Sequence, residues 1–136
     1  MVQVIRYVPL LAFVVIAYNI VAAISMSALD ATLLSFGLLS GAAFVFLAKD
    51  VLILAGLILL YAELSKATRT TNVSIADHTL SLGLLVICLV ELIVVPFCGT
   101  ATFFLLTVMT GIDVIAGFTI TITGAKRDLT AVHPAA

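Results

Sequence analysis

Long uncharged apolar stretches, separated by short polar segments, are the main pattern along this chain. The first runs from Tyr7 to Leu29 without a charged residue. A helix of this extent would be about 35 Å long, enough to cross a hydrocarbon core of about 30 Å. The pattern therefore predicts a membrane-spanning helix over residues 7–29.

Residues 31–50 are apolar too, but they fit a simple span poorly. One helix from Ala31 to Lys66 would be about 54 Å long, and two separate spans would leave no residues for a connection. Strand-like alternation and a turn between the two halves predict a short hairpin or compact loop at the outer interface instead. The residues concerned are Leu34, Phe36 and Leu38, the turn Ser40-Gly41, and Phe44 and Phe46. A bent or tilted long helix is the alternative.

Helix-capping residues mark the start of the next two predicted spans. Asp50 is the expected N-cap of a second span over residues 51–67, because a carboxylate satisfies free backbone N–H groups there. Ser74 and Asp77 have the spacing of a capping box and open a third span over residues 75–96.

A tight turn and a final apolar stretch complete the pattern. Pro96 and Gly99 predict the turn, Thr100 is a candidate cap, and a fourth span follows over residues 101–124. Five of the six basic residues then lie on one side of the membrane, namely Arg6, Lys66, Arg69, Lys126 and Arg127. The positive-inside rule makes that side cytoplasmic. The prediction is thus an all-α bundle of four transmembrane helices, residues 1–136 forming one domain with cytoplasmic termini.

Composition strengthens the membrane interpretation and excludes other classes. The chain is 64% hydrophobic and 10% charged, with mean hydropathy +1.38, whereas soluble domains have about 45–50% apolar and about 25% charged residues. The bilayer is therefore an expected partner. A formal net charge of −1 argues against nucleic-acid binding, which requires a basic face.

Two acids fall inside predicted spans, where an ionisable group is a functional candidate. Glu91 and Asp113 are placed on adjacent antiparallel helices, about two helical turns apart in depth. Tyr18 and Asn19 reach the depth of Glu91, and a hydrogen bond between Asn19 and Glu91 is expected. These groups are either neutral, hydrogen-bonded contacts inside the bundle or stations of a proton or cation path.

Small residues on the fourth span predict close helix packing. Thr110, Gly117 and Gly124 share a face with Asp113. Glu63 lies three residues before Lys66 and is interpreted as an interface residue with an ion-pair partner.

Signals for catalysis, metals or cofactors are absent from the sequence. Cys88 and Cys98 would be about 15 Å apart on a helix, too far for a disulfide, and are not in a metal-binding spacing. His78 follows Asp77 without a nucleophile or ligand set, so it is interpreted as an interface residue. We therefore expect no enzyme, no cofactor and no metal site.

The chain also resembles small uncharacterised four-span proteins of the bacterial inner membrane. The residues that carry this resemblance are the segments 63–70 and 111–119 and the trailing Lys126-Arg127-Asp128. The resemblance implies four helices and an inner-membrane location, and it implies no activity. The expected function is non-catalytic helix–helix contact, as an accessory subunit of a larger membrane complex or a self-assembling scaffold. A small oligomeric channel or transporter that uses Glu91 and Asp113 is the alternative.

Overall fold

A computed structural model describes residues 8–67 and 74–132 of the chain. These residues form five α-helices, one two-stranded sheet and one 3₁₀ turn, in the following order. They are α1 (Leu11–Ile24), α2 (Met26–Leu29), β1 (Thr32–Gly37), β2 (Ala43–Leu47), α3 (Ala48–Ala67), α4 (Ser74–Val94), the 3₁₀ turn Pro96–Cys98 and α5 (Ala101–Val132).

The alternating stretch between the first two long helices is a β-hairpin. β1 and β2 pair antiparallel, with Leu34 opposite Phe46 and Phe36 opposite Phe44. Leu38 donates its N–H to Ala42 and accepts the N–H of Gly41, which closes a three-residue loop. Gly41 has φ of 85°, the left-handed conformation that such a loop requires at its last position.

A break at Ser25 divides the predicted first span into two helices. Ser25 has extended backbone angles, φ −161° and ψ 111°, between α1 and the short α2. Its hydroxyl pairs with that of Ser27 at 2.9 Å. Serine side chains compete with the helical backbone for hydrogen bonds and favour helix ends, so the apolar stretch does not continue as one helix.

α5 is the central helix and packs against α1, α3 and α4. Its inward face carries the buried side chains Phe103, Leu106 and Met109, and the Tyr18 ring lies 5.0 Å from that of Phe103. α3 approaches closely at Gly56, where an added Cβ would lie 2.9 Å from the Met109 sulfur. α3 and α5 run parallel, while α1 and α4 run the other way. One end of the bundle therefore carries the hairpin, and we call it the hairpin end; the other is the opposite end.

The predicted bundle of four membrane-spanning helices is wrong. Among the described residues, only Ala101–Arg127 is both long and apolar enough to cross a membrane. The all-α description is also wrong, because β1 and β2 form a sheet.

Each of the other helices fails as a span for its own reason. α1 has 14 residues and would be about 21 Å long. α3 has 20 residues, but Lys49 and Asp50 near its start and Glu63 and Lys66 near its end leave only a short uncharged segment. The apolar part of α4, His78–Val94, falls below the length of a span. The first apolar stretch, 7–29, is thus longer than either of the helices it forms.

The helix starts follow the capping predictions in part. α3 begins at Ala48, so Asp50 is not its N-cap; instead its carboxylate reaches back and accepts the N–H of Leu47 at 2.8 Å. Thr100 does cap α5, accepting the N–H of Phe103 at 3.1 Å. The predicted capping box of Ser74 and Asp77 concerns side chains outside the described ones.

Candidate functional site

A buried polar seam runs between α4 and α5. It consists of His78 and Ser81 on α4 and Thr107, Thr110 and Asp113 on α5, all of them buried. The two helices are antiparallel, and the Cys88 thiol forms a hydrogen bond with the Thr110 side chain about midway along the seam. Polar contacts therefore continue through the interior rather than being confined to one end.

The threonine hydroxyls of the seam are used by the backbone of their own helix. Thr107 donates to the carbonyl of Phe103 at 2.9 Å, and Thr110 donates to that of Thr107 at 2.7 Å. Such bonds let a hydroxyl lie in an apolar interior at low cost. Because each hydroxyl proton is used in these bonds, neither hydroxyl donates to Asp113.

At the hairpin end, Tyr18 joins α1 to the start of α5. Its hydroxyl donates to the carbonyl of Phe97 at 2.9 Å and lies 2.6 Å from the hydroxyl of Thr100. Since the Tyr18 proton is directed at Phe97, the Thr100 hydroxyl is the donor in the second bond. Thr100 thus donates to Tyr18 and accepts from the N–H of Phe103, so the helix cap and the interhelical contact depend on each other.

Asn19 joins α1 to α4 beside Tyr18. Its Nδ2 donates to Oε2 of Glu91 at 3.0 Å, which is the hydrogen bond expected from the sequence. Its Oδ1 accepts the thiol of Cys98 at 3.2 Å. We call Tyr18, Asn19, Glu91, Cys98 and Thr100 the hairpin-end cluster. It connects three helices through mainly uncharged groups.

At the opposite end, Glu63 fastens α3 to the start of α1. Oε2 of this buried carboxylate accepts the N–H of Leu10 at 2.8 Å, and Oε1 accepts Lys66 at 3.1 Å. A carboxylate at a helix N-terminus is favoured by the helix dipole and satisfies a backbone donor that has no partner within the helix. The structure thus contains the ion pair predicted between Glu63 and Lys66, and it adds a contact with Leu10 that was not predicted.

His78 packs into the space left by Gly117. A Cβ added at Gly117 would overlap the imidazole ring, whose centroid lies 5.8 Å from that of Phe118. His78 is buried against α5, a contact that was not predicted from the sequence. Gly124 has nothing within 4 Å of an added Cβ and makes no such contact.

The structure brings Glu91 and Asp113 to one side-by-side helix pair without bringing them together. Cys88 and Thr110 are in contact across the pair. Glu91 lies three residues after Cys88, towards the hairpin end, and Asp113 lies three residues after Thr110, towards the opposite end. The two acids are therefore about 9 Å apart along the helix axis. Sequence reasoning found Tyr18, Asn19, Glu91 and Asp113 and missed the burial of Glu63 and His78. The spacing between Glu63 and Lys66 was visible, but the third partner, Leu10, is more than fifty residues away in the chain.

A cavity of about 200 Å³ opens at the hairpin end beside an exposed ion pair. Lys49 Nζ lies 2.6 Å from Asp30 Oδ1, and this hydrogen bond raises the pKa of Lys49 above its usual value. Met26 and Leu29 form the apolar part of the cavity wall, and Thr100 and Thr102 contribute from the start of α5.

Nothing in the described part of the chain groups three or more His, Cys, Asp or Glu side chains in a metal-binding arrangement. No protein-family model matches this chain, and no curated protein or solved structure matches it. The arrangement of its own side chains is thus the basis for assigning a function.

Proposed function

We propose that this chain is a non-catalytic integral membrane protein that acts through helix–helix contacts, as an accessory subunit of a membrane complex or as a self-assembling scaffold. α5 is the crossing helix, and lipid or partner helices cover the apolar outer faces. The observation that carries this proposal is the amount of large apolar side chain exposed on each long helix.

Large apolar side chains are exposed on all four long helices, which supports lipid or partner helices as their surroundings. Ile93 on α4 is 82% exposed and Ile115 on α5 is 70% exposed. α1 and α3 contribute similar residues, including Ile20, Ile24, Leu57 and Ile58. Monomeric soluble proteins rarely expose contiguous apolar patches larger than a few hundred Å², and larger ones mark protein or membrane contacts.

The interior supports a structural role for the polar groups. Among the side chains that the structure describes, every buried nitrogen or oxygen has a hydrogen-bond partner. Fully satisfied polar groups stabilise and specify a helix packing, whereas transport sites need groups that a substrate can engage. Glu91 and Asn19 therefore act as an interhelical contact in this proposal.

Depth-dependent quenching of a fluorophore tests the membrane part of the proposal. Two variants of the full chain, Ile115→Cys and Asp30→Cys, would each be labelled at the new cysteine and reconstituted in phosphatidylcholine vesicles. The native Cys88 and Cys98 are buried and are therefore protected from the label. We expect lipid-borne nitroxides to quench the label at position 115 and aqueous iodide to quench the label at position 30. Equal quenching by iodide at both positions would contradict insertion of α5.

Gentle solubilisation tests the contact part of the proposal. The full chain would be extracted from its own membrane in a mild detergent and its mass and bound proteins measured. We expect either a self-assembled particle or a stoichiometric membrane partner. A monodisperse monomer without a partner would refute both forms of the proposal.

The polar seam favours one second candidate, a small oligomeric proton or cation channel. His78, Asp113 and Glu91 are ionisable groups distributed along the α4–α5 pair, as successive stations of a path would be. Liposome flux assays separate the two functions. Loss of a wild-type flux in Glu91→Gln and Asp113→Asn, with assembly intact, supports the channel; no flux from wild type at any pH rejects it.

A further inference from the structure

The β-hairpin has two open edges and nothing in its sequence that protects them. Every residue from 31 to 45 is exposed, and no charged residue or proline occurs between Asp30 and Lys49. Proteins usually protect edge strands with charges, prolines or covering segments, because an open edge pairs with other strands. Two strands by themselves are also only marginally stable. The hairpin is therefore an incomplete sheet.

The outward backbone groups can be assigned from the pairing. Leu38 and Ala42 close the loop with a backbone hydrogen bond. Since bonded and non-bonded pairs alternate in an antiparallel ladder, Phe36–Phe44 is a bonded pair and Ser35–Val45 is not. The N–H and C=O groups of Ser35 and Gly37 therefore point away from β2, at the free edge of β1.

We propose that the β1 edge pairs with β1 of a second copy of this chain, forming a four-stranded antiparallel sheet across a twofold axis near Ser35. This inference rests on the proposed function and specifies its self-assembling form. Ser35 of one copy then lies opposite Ser35 of the other, on the loop side of the register irregularity between Thr32 and Leu34. The backbone groups of this edge become satisfied without any change within the hairpin.

The position of the remaining chain argues against an occupant from the same molecule. The described ranges end at Val8, Ala67, Ser74 and Val132, and none of these four residues belongs to the hairpin end. The 20 residues of α3 separate the two ends of the bundle by about 28 Å. A third strand from the same chain would have to bridge that distance.

Charge argues for a second copy among the possible partners. A symmetric pairing places each side chain near its own counterpart, so a charged edge would repel itself. The edge has no charge to repel and none to attract a charged partner strand. Burial in hydrocarbon is not an alternative for an open edge, because lipid cannot satisfy its backbone groups.

Cysteine crosslinking across the predicted axis tests the pairing. In a twofold pair, the Cα atoms of the two residues at position 35 are about 5.5 Å apart, whereas those at position 40 are about 34 Å apart by strand rise. A short bis-maleimide applied to full-length Ser35→Cys in lipid nanodiscs should give a crosslinked dimer. Ser40→Cys, in the same exposed hairpin, is the matched control and should give at least tenfold less. Equal crosslinking of the two variants, or none at position 35, would overturn the inference.

A charge at the axis gives an independent test. Ser35→Lys places two ammonium groups opposite each other and should weaken dimerisation about tenfold, while Ser40→Lys should leave it unchanged. Unaltered helix content by circular dichroism verifies folding of both. If Ser35→Lys has the mass of wild type and both are oligomers, the hairpin pairing is wrong and the scaffold proposal stands. If the wild-type protein is a monomer without a partner, both the hairpin pairing and the scaffold proposal are wrong.

Discussion

The two ends of the bundle are held together by different kinds of contact. At the hairpin end, Tyr18, Asn19 and Thr100 join the helices through hydrogen bonds between mostly uncharged groups. At the opposite end, Glu63 accepts hydrogen bonds from the N–H of Leu10 and from the Lys66 ammonium. The imidazole of His78 fills the space beside Gly117.

The comparison shows that the glutamates at the two ends of the bundle have different roles. Glu63 contacts both the Lys66 ammonium and the N–H of Leu10 at the start of α1. Glu91 faces the Asn19 amide, which a neutral acceptor would satisfy equally well. Glu63 therefore stabilises the fold through an ion pair. Glu91 needs only to accept a hydrogen bond from Asn19.

The largest expected effect is at the tightest contact of the opposite end. Gly117→Ala places a methyl group inside the His78 ring volume, and overpacking of this kind costs about 3 kcal/mol. Reversible unfolding in detergent, followed by circular dichroism, measures the loss. Gly124→Ala is the control and should be neutral or slightly stabilising, because its Cβ meets nothing. Equal effects at the two glycines would show that His78 is not packed there.

Removing the charge of Glu63 should have the next largest effect. Glu63→Gln keeps an acceptor for Leu10 but loses the ionic bond to Lys66, whose side chain is 22% exposed. After allowance for that exposure, we expect a loss of about 1.5 kcal/mol in the same assay. Lys66→Gln should lose a similar amount. A Glu63→Gln variant as stable as wild type would remove the proposed distinction between the two ends.

Loss of a single hydroxyl at the hairpin end should cost less. Tyr18→Phe keeps the ring against Phe103 and removes the bonds to Phe97 and Thr100. We expect a loss of about 1 kcal/mol in the unfolding free energy. Tyr61→Phe, at an exposed tyrosine on α3, is the control with no expected change. Matching results for the two variants would mean that the buried hydroxyl does not join the helices.

The smallest effect is expected for Glu91→Gln. A glutamine oxygen accepts the Asn19 amide as the carboxylate does, so the loss should be under about 0.5 kcal/mol. Asn19→Leu, which removes the donor itself, should cost more than Glu91→Gln. If Glu91→Gln destabilises the chain as strongly as Glu63→Gln, the charge at position 91 is structural after all.

Contacts that depend on neighbouring residues were predictable from the sequence. Gly41 after Ser40 predicts a turn because it adopts positive φ, and Thr100 predicts a helix cap because its hydroxyl reaches the N–H three residues on. Asn19 and Glu91 were paired because polar groups at one depth of an apolar bundle need each other. The turn and the cap followed from neighbouring residues, and the pair of Asn19 and Glu91 followed from their equal depth in the bundle.

Tertiary packing alone decided the rest. Apolar composition is shared by lipid-facing and core-facing residues, so hydropathy did not reveal the break at Ser25, and the count of four spans was wrong. The burial of Glu63 depends on Leu10, and that of His78 on Gly117, both distant in the chain. Sequence by itself therefore determined where the chain turns and which groups need partners, because those are short-range requirements. Which distant groups meet those requirements was decided only when the helices packed.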